Sequence, residues 1–278
     1  MDFCHAVRAE IQTNNNAVSV LQSMNVELKD KTILITGGLG AIAESVLKTL
    51  SAAGATLVIT DRQPEAAARP ILEAWGVGAH TYLAMDVTDP AAVARVVAEA
   101  FARHPAINLA LGHAGGTGVF PFETCERERF DDLVKFNFLA QTYFAREVLR
   151  HWRDKKCAGH LIFTSSYVAR IPMAGISAYV ASKAALEMFA KNLALEYAPH
   201  GIRVNCISPG NVAAGSSRVV YESDPVYRAW VDRVSPLGRR NSPQAIANAF
   251  LYLCSPLADE VDGHVLQVDA GVGLPKLG

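Results

Sequence analysis

Tyr179 and Lys183, in the run Tyr179-Val180-Ala181-Ser182-Lys183, stand four positions apart in a stretch that reads as helix, so their side chains share one face. A phenol titrating at about 10 is a poor proton donor or acceptor at neutral pH, but an adjacent cation favours the phenolate and draws that value toward the working range. The pair therefore describes a general acid/base, with Lys183 as the cation. The same spacing occurs on many solvated helix faces, and its weight depends on what precedes it.

Thirteen residues before the tyrosine (179 − 166 = 13), Ser166 closes His160-Leu161-Ile162-Phe163-Thr164-Ser165-Ser166, an apolar run followed by hydroxyls that reads as a buried strand ending in a turn. Strand ends are where α/β proteins place chemistry; Ser165 and Ser166 are equally suited to capping or turns. With these residues the chain resembles the short-chain dehydrogenase/reductase family, whose pattern is a Ser about thirteen residues before Tyr-x-x-x-Lys and an Asn on the preceding helix. The likeness runs from about Leu28 to Val272. The resemblance implies a catalytic set of Asn137, Ser166, Tyr179 and Lys183. In it Tyr179 exchanges the hydroxyl proton, Ser166 holds the substrate oxygen and Lys183 binds the nicotinamide ribose, with Tyr179 also counted among the cofactor contacts. Asn137, on the margin of the apolar stripe Leu133, Phe136, Ala140, Phe144, completes the proton path.

The elements that must position this set can be followed along the chain. Lys31 to Thr36 is a short apolar run suited to a central first strand, and it opens into Gly37-Gly38-Leu39-Gly40-Ala41-Ile42-Ala43, a turn that presents amides and a helix start to a pyrophosphate. The family form Thr-Gly-x-x-x-Gly-x-Gly becomes Thr36-Gly37-x-x-x-Ala41-x-Ala43, while Gly38-x-Gly40-x-x-Ala43 satisfies the general dinucleotide fingerprint; the two registers exclude each other. The next strand, Thr56 to Thr60, ends in Asp61, placed to hydrogen-bond both ribose hydroxyls of NAD and repel the phosphate of NADP. Arg62 can stack on adenine or meet a 2′-phosphate. The sign of charge at Asp61 favours NAD, with NADP the lesser expectation.

The resemblance also assigns Asp86 and Val87 to the adenine, though an Asp there equally suits the cap of the helix starting near Pro90. Strand Asn108 to Leu111 runs into Gly112-His113-Ala114-Gly115, where the family usually has Asn-Asn-Ala-Gly; by the resemblance His113, Ala114 and Gly115 border the cofactor, Ala114 and Gly115 allowing backbone approach, while the His113 side chain reads as a structural hydrogen-bonding group. Pro209, Gly210 and Val212 follow a strand beginning near Ile202 and resemble the segment bordering the nicotinamide. The usual threonine is replaced by Ala214, with Ser216 or Ser217 as substitute hydroxyls.

A chain of 278 residues, half of them apolar, with strands alternating with helical stretches, predicts an α/β fold: a doubly wound, mostly parallel, Rossmann-like sheet in three α/β/α layers. Residues 1–28 read as an N-terminal extension and 29–278 as one dinucleotide-binding and catalytic domain, with a substrate lid at about 213–235. Net charge is −1 with acids and bases interspersed, which suggests neither nucleic acid nor membrane as partner. Five scattered cysteines fit a reducing, cytoplasmic setting, and no metal is required. Asp2, Arg8 and Glu10 argue against a signal peptide.

The expected function is hydride transfer between NAD(H) and a small-molecule secondary alcohol or carbonyl substrate. A sugar or polyol is suggested by Arg218, Tyr221, Tyr227, Arg228 and Trp230 in the lid. Alternatives are an NADPH-dependent carbonyl or 3-oxoacyl reductase and, from another class, a dinucleotide-binding sensor or scaffold without turnover. The resemblance further implies a homotetramer or homodimer, formed through the two long helices and the strand near Val265.

Overall fold

The computed structural model describes residues 26–274; the expected extension falls outside them up to residue 25. Leu28, at its far end, is fully buried, and its amide donates to Ala53 O at 2.7 Å.

Seven strands of the described residues form one parallel sheet: β1 (Thr32–Thr36), β2 (Thr56–Asp61), β3 (Thr81–Ala84), β4 (Ile107–Gly112), β5 (Gly159–Thr164), β6 (Ile202–Pro209) and β7 (Val265–Val268). Their order is β3-β2-β1-β4-β5-β6-β7. Both faces of such a sheet must be covered, which is why the strands read as continuous apolar runs. In β1, Leu34 packs into the core on one face while Ile33 and Ile35 pack into the core on the other. Each such side chain contributes about 1.5–3 kcal/mol by leaving water.

One layer contains α1 (Ala43–Ala52), α2 (Glu65–Ala74) and α9 (Pro243–Cys254); the other contains α3 (Pro90–Arg103), α5 (Ala140–Asp154) and α6 (Ser177–Tyr197). The doubly wound three-layer architecture is thus as expected. Between β1 and β4 the chain reverses its direction of travel across the sheet, which opens a crevice beyond the strands' carboxyl ends.

Local chemistry sets the helix starts. Asp89 accepts from Ala91 N at 2.9 Å, with Pro90 following, so Asp89 caps α3. Asp86, the candidate for that role, instead accepts from the amide and hydroxyl of Thr88. Between α4 (Arg127–Val134) and α5 the helix widens into a π turn, Lys135–Leu139, around Asn137. The expected lid is a pair of helices, α7 (Gly215–Ser223) and α8 (Pro225–Val234), the second capped by Asp224. Among the described residues no helix is long and apolar enough to cross a membrane.

Candidate active site

Three consecutive residues at the end of β5 each engage a different residue of α6. Thr164 O accepts from Lys183 Nζ at 2.7 Å, Ser165 Oγ donates to Glu187 Oε1 at 2.8 Å, and the Ser166 hydroxyl is hydrogen-bonded to that of Tyr179. Tyr179, Lys183 and Glu187 follow one another at helical intervals of four, so one face of α6 lies along one strand end.

Asn137 joins them from the π turn. Its Nδ2 donates to Gly116 O at 2.8 Å and Leu133 O at 2.9 Å, while its Oδ1 accepts from Gly116 N at 3.0 Å. A fully buried mid-helix asparagine needs such partners, and the last turn of α4 supplies the carbonyl of Leu133. A Cβ on Gly115 would stand 2.9 Å from Asn137 Oδ1 and 3.2 Å from Lys183 Nζ, which measures how closely both groups converge on this backbone. The four residues expected to act together are therefore neighbours.

Electrostatics differ from the expectation in one respect. Burial pushes the Lys183 ammonium down to about 8, against opposing contributions from Cys206 and Glu187. Burial also pushes the Tyr179 phenol above its ordinary value, and the Ser166 hydrogen bond only partly offsets it. Lys183 Nζ lies 5.8 Å from the centroid of the tyrosine ring and is tied to Thr164, so desolvation outweighs the cation that was expected to lower the phenol.

His113 takes the structural part expected of it. Its Nδ1 lies 2.8 Å from Thr164 Oγ1, its amide donates to Thr36 Oγ1 at 3.0 Å, and its ring meets Phe250 edge-on. Burial, then the Lys183 charge, lowers its pKa to about 4 and keeps the ring neutral at working pH.

Ser166, Tyr179 and Lys183 line a cleft of about 1700 Å³, with Asn137 buried behind it. Gly37, Leu39, Gly40, Ala41 and Ile42 line it, as do Asp61, Arg62, Asp86, Val87, His113, Ala114, Gly115, Pro209, Gly210 and Val212. Gly37 adopts φ +69°, and a Cβ there would stand 2.7 Å from Ala114 Cα, so the turn follows the register that begins Thr36-Gly37. Gly38 is the exception among the expected cofactor residues: it packs away from the cleft, against β2, where a Cβ would collide with Ile59. Ala41 is exposed and Ala43 is buried in the core, so neither extra methyl closes the turn. Asp61 Oδ2 accepts from Leu39 N at 3.1 Å, which ties the acid to the glycine turn. A glycine cradle, a helix start and an acid at the next strand end fit a dinucleotide. In place of the missing threonine hydroxyl, Ser217 lines the cleft and lies 2.9 Å from Arg240 Nη2; the side chain of Ser216 lies outside the described residues.

The lid does not present the polar grip expected of it. Tyr221 donates to Asp232 at 2.8 Å, Arg228 donates to the carbonyls of Tyr221 and Glu222, and Trp230 packs with Tyr167 and Val168. Arg218 stands 3.8 Å from Glu222. Of the five residues singled out, Tyr227 alone lines the cleft. Sequence could not show that these groups satisfy one another across the two helices. Beside Tyr179 the wall is instead formed by Tyr167, Val168, Met173 and Ile176. Glu187 also escaped the sequence reading, because a glutamate in a helix reads as a solvated residue; its only signal was its place one turn beyond Lys183.

Comparison with known proteins agrees with this geometry. The family model described as Enoyl-(Acyl carrier protein) reductase matches residues 38–273. The chain is 30% identical over 250 residues to 3beta-hydroxysteroid dehydrogenase 1 of Eggerthella lenta, covering 89% of this chain and 95% of the relative. It is 29% identical over 252 residues to 3-oxoacyl-(acyl-carrier-protein) reductase FabG of Aquifex aeolicus, covering 90% and 100%. The crystal structure of a short-chain type dehydrogenase/reductase from Mycobacterium marinum superposes with a TM-score of 0.81 at 28% identity, covering 90% of this chain and 98% of the other.

Proposed function

The chain belongs to the short-chain dehydrogenase/reductase family and is an NAD(P)-dependent oxidoreductase acting on alcohol and carbonyl groups; from that premise we propose that Asn137, Ser166, Tyr179 and Lys183 are its catalytic set. The observation that carries this reading is that Ser166, Tyr179 and Lys183 line one cleft, the two hydroxyls paired, while Lys183 and the buried Asn137 both close on Gly115.

The bound dinucleotide supplies or accepts the hydride. The chain's own residues manage the proton. Tyr179, held neutral by its surroundings, gives a proton to the oxygen of a carbonyl substrate and takes it back from an alcohol. Ser166 donates its one hydroxyl proton to the same oxygen. Lys183, fixed by Thr164, places a positive charge beside that phenolate, and Asn137 orders the backbone at Gly116 where the proton path leaves the cleft. Turnover of ketones and alcohols by wild type and Tyr179→Phe, with both dinucleotides, tests this assignment.

We assign NAD rather than NADP as the preferred cofactor, on the carboxylate of Asp61 at the β2 end. Substrate preference follows from the wall around Tyr179. Because Tyr167, Val168, Met173 and Ile176 surround the phenol, the substrate is a predominantly apolar secondary alcohol or ketone rather than a sugar or polyol.

The assembly is proposed as a homotetramer built through α6. Met188 and Leu195, seven residues apart on that helix, are 65% and 78% exposed, a costly pair to leave in water. Light scattering that returned a monomer mass would contradict it.

A further inference from the structure

Lys183 has one buried anion near it that the catalytic set does not include. Glu187 is one helical turn further along α6, on the same face, and only 6% exposed. Carboxylates are rarely buried without partners. Here the partner is Ser165 Oγ, donating at 2.8 Å, on a residue that is itself 2% exposed and anchored by its amide to Ile207 O at 2.7 Å.

We propose that Glu187 is a positioning residue for Lys183, its buried carboxylate supplying the counter-charge against which the lysine ammonium is held in the cleft floor. The inference rests on the reading of Lys183 as a member of the catalytic set. The two side chains have separate neutral partners, the Thr164 carbonyl for the ammonium and the Ser165 hydroxyl for the carboxylate. Thr164, the last residue of β5, and the Ser165 that follows it thus space the charges one helical turn apart, and Lys183 still lines the cleft.

The groups around the ammonium single out Glu187 as its anion. From α6 come Tyr179 and Glu187, from β6 Cys206, and from the end of β4 His113. Tyr179 and Cys206 are both pushed upward by burial, and so are a neutral phenol and thiol at working pH. His113 is neutral above about 4. The two cations that act on Cys206 from nearby, Lys191 and Arg170, are exposed to solvent. Of the two groups that oppose the burial lowering Lys183, Cys206 and then Glu187, Cys206 is a buried thiol and Glu187 alone is a carboxylate.

The test follows the Cε resonances of isotopically labelled lysine through a pH titration of the full chain, with Lys183 assigned by its loss in Lys183→Arg. Wild type is expected to titrate near 8. In Glu187→Gln the proton affinity of Lys183 falls about tenfold, roughly one pH unit, whereas Glu187→Asp stays within about threefold of wild type. If Gln at this site prevents folding, Ser165→Ala/Glu187→Met removes both partners together, fills the space with an apolar chain and leaves no group orphaned. An unchanged midpoint in either folded variant overturns the proposal. So does failure of both to fold while Glu187→Asp folds, since the residue is then structural. Because no turnover is read, an inactive wild-type enzyme would refute the catalytic reading and leave this result standing; an active one with an unmoved midpoint would refute this proposal alone.

Discussion

The carbonyl oxygen of Thr164 and the Nζ of Lys183 are 2.7 Å apart, and through this bond the end of a central strand fixes the height of a charge within the cleft. His113 steadies the same threonine from the other side, through the side-chain oxygen at 2.8 Å. Strand β4, strand β5 and helix α6 meet at this one residue.

Burial of that ammonium costs stability. The folded-state pKa, about 8, lies below the free value of 10.5, so the native state binds fewer protons between those limits and stability rises with pH there. The penalty is full below about 8 and relieved toward 10.5. Lys183→Met combined with Glu187→Met, which removes the ammonium without leaving its buried counter-charge alone, is therefore expected to abolish activity yet stabilise the fold at neutral pH by about 1–2 kcal/mol. Denaturant unfolding of the two proteins at neutral pH and again above 10.5 checks it; the gap should close at the higher pH.

The pH profile has a matching sign. In the reducing direction Tyr179 must carry its proton, which its raised pKa ensures across the neutral range. Lys183 must keep its charge, which it loses above about 8. Ketone reduction should show a level kcat/KM at neutral pH and a decline above about 8. A profile that climbs through that region would contradict the assignment.

Asp61→Ser removes the carboxylate tied to Leu39. Preference for NADH over NADPH, read as the ratio of kcat/KM values, should fall about tenfold or more, since a 2′-phosphate then meets no like charge. An unaltered ratio would shift attention to Arg62.

Substrate character separates two side chains. Arg228 is engaged by the carbonyls of Tyr221 and Glu222, so Arg228→Ala should leave KM within about twofold. Met173 lines the apolar wall, and Met173→Asn should raise KM for apolar ketones about tenfold. Steady-state kinetics on both variants decide between the apolar wall and a polar lid.

What the sequence made legible was whatever depends on local pattern. Six of the seven strands end in, or run straight into, Gly, Asp or Ser, and the spacing of Ser166, Tyr179 and Lys183 translates directly into a strand end facing a helix. The π turn at Asn137 was hidden because one added residue in a helical turn leaves the apolar stripe intact. Gly38 and Gly37 look alike in sequence, and only the packing of Ile59 and Ala114 against them assigns one to β2 and the other to the cleft. The lid misled because composition counts charges without showing that Asp232 and two carbonyls had already claimed them. The direction of the Tyr179 shift likewise depends on burial, which no spacing rule contains.

The most direct test of the account is turnover by wild type and Tyr179→Phe on a panel of apolar ketones and secondary alcohols, with NADH/NAD and NADPH/NADP, alongside dinucleotide binding. Wild type should turn over members of the panel. The variant should bind the dinucleotide with unchanged affinity while losing about a hundredfold to ten-thousandfold in kcat. A Tyr179→Phe enzyme as fast as wild type, or a wild type that binds the dinucleotide and converts nothing, would contradict it.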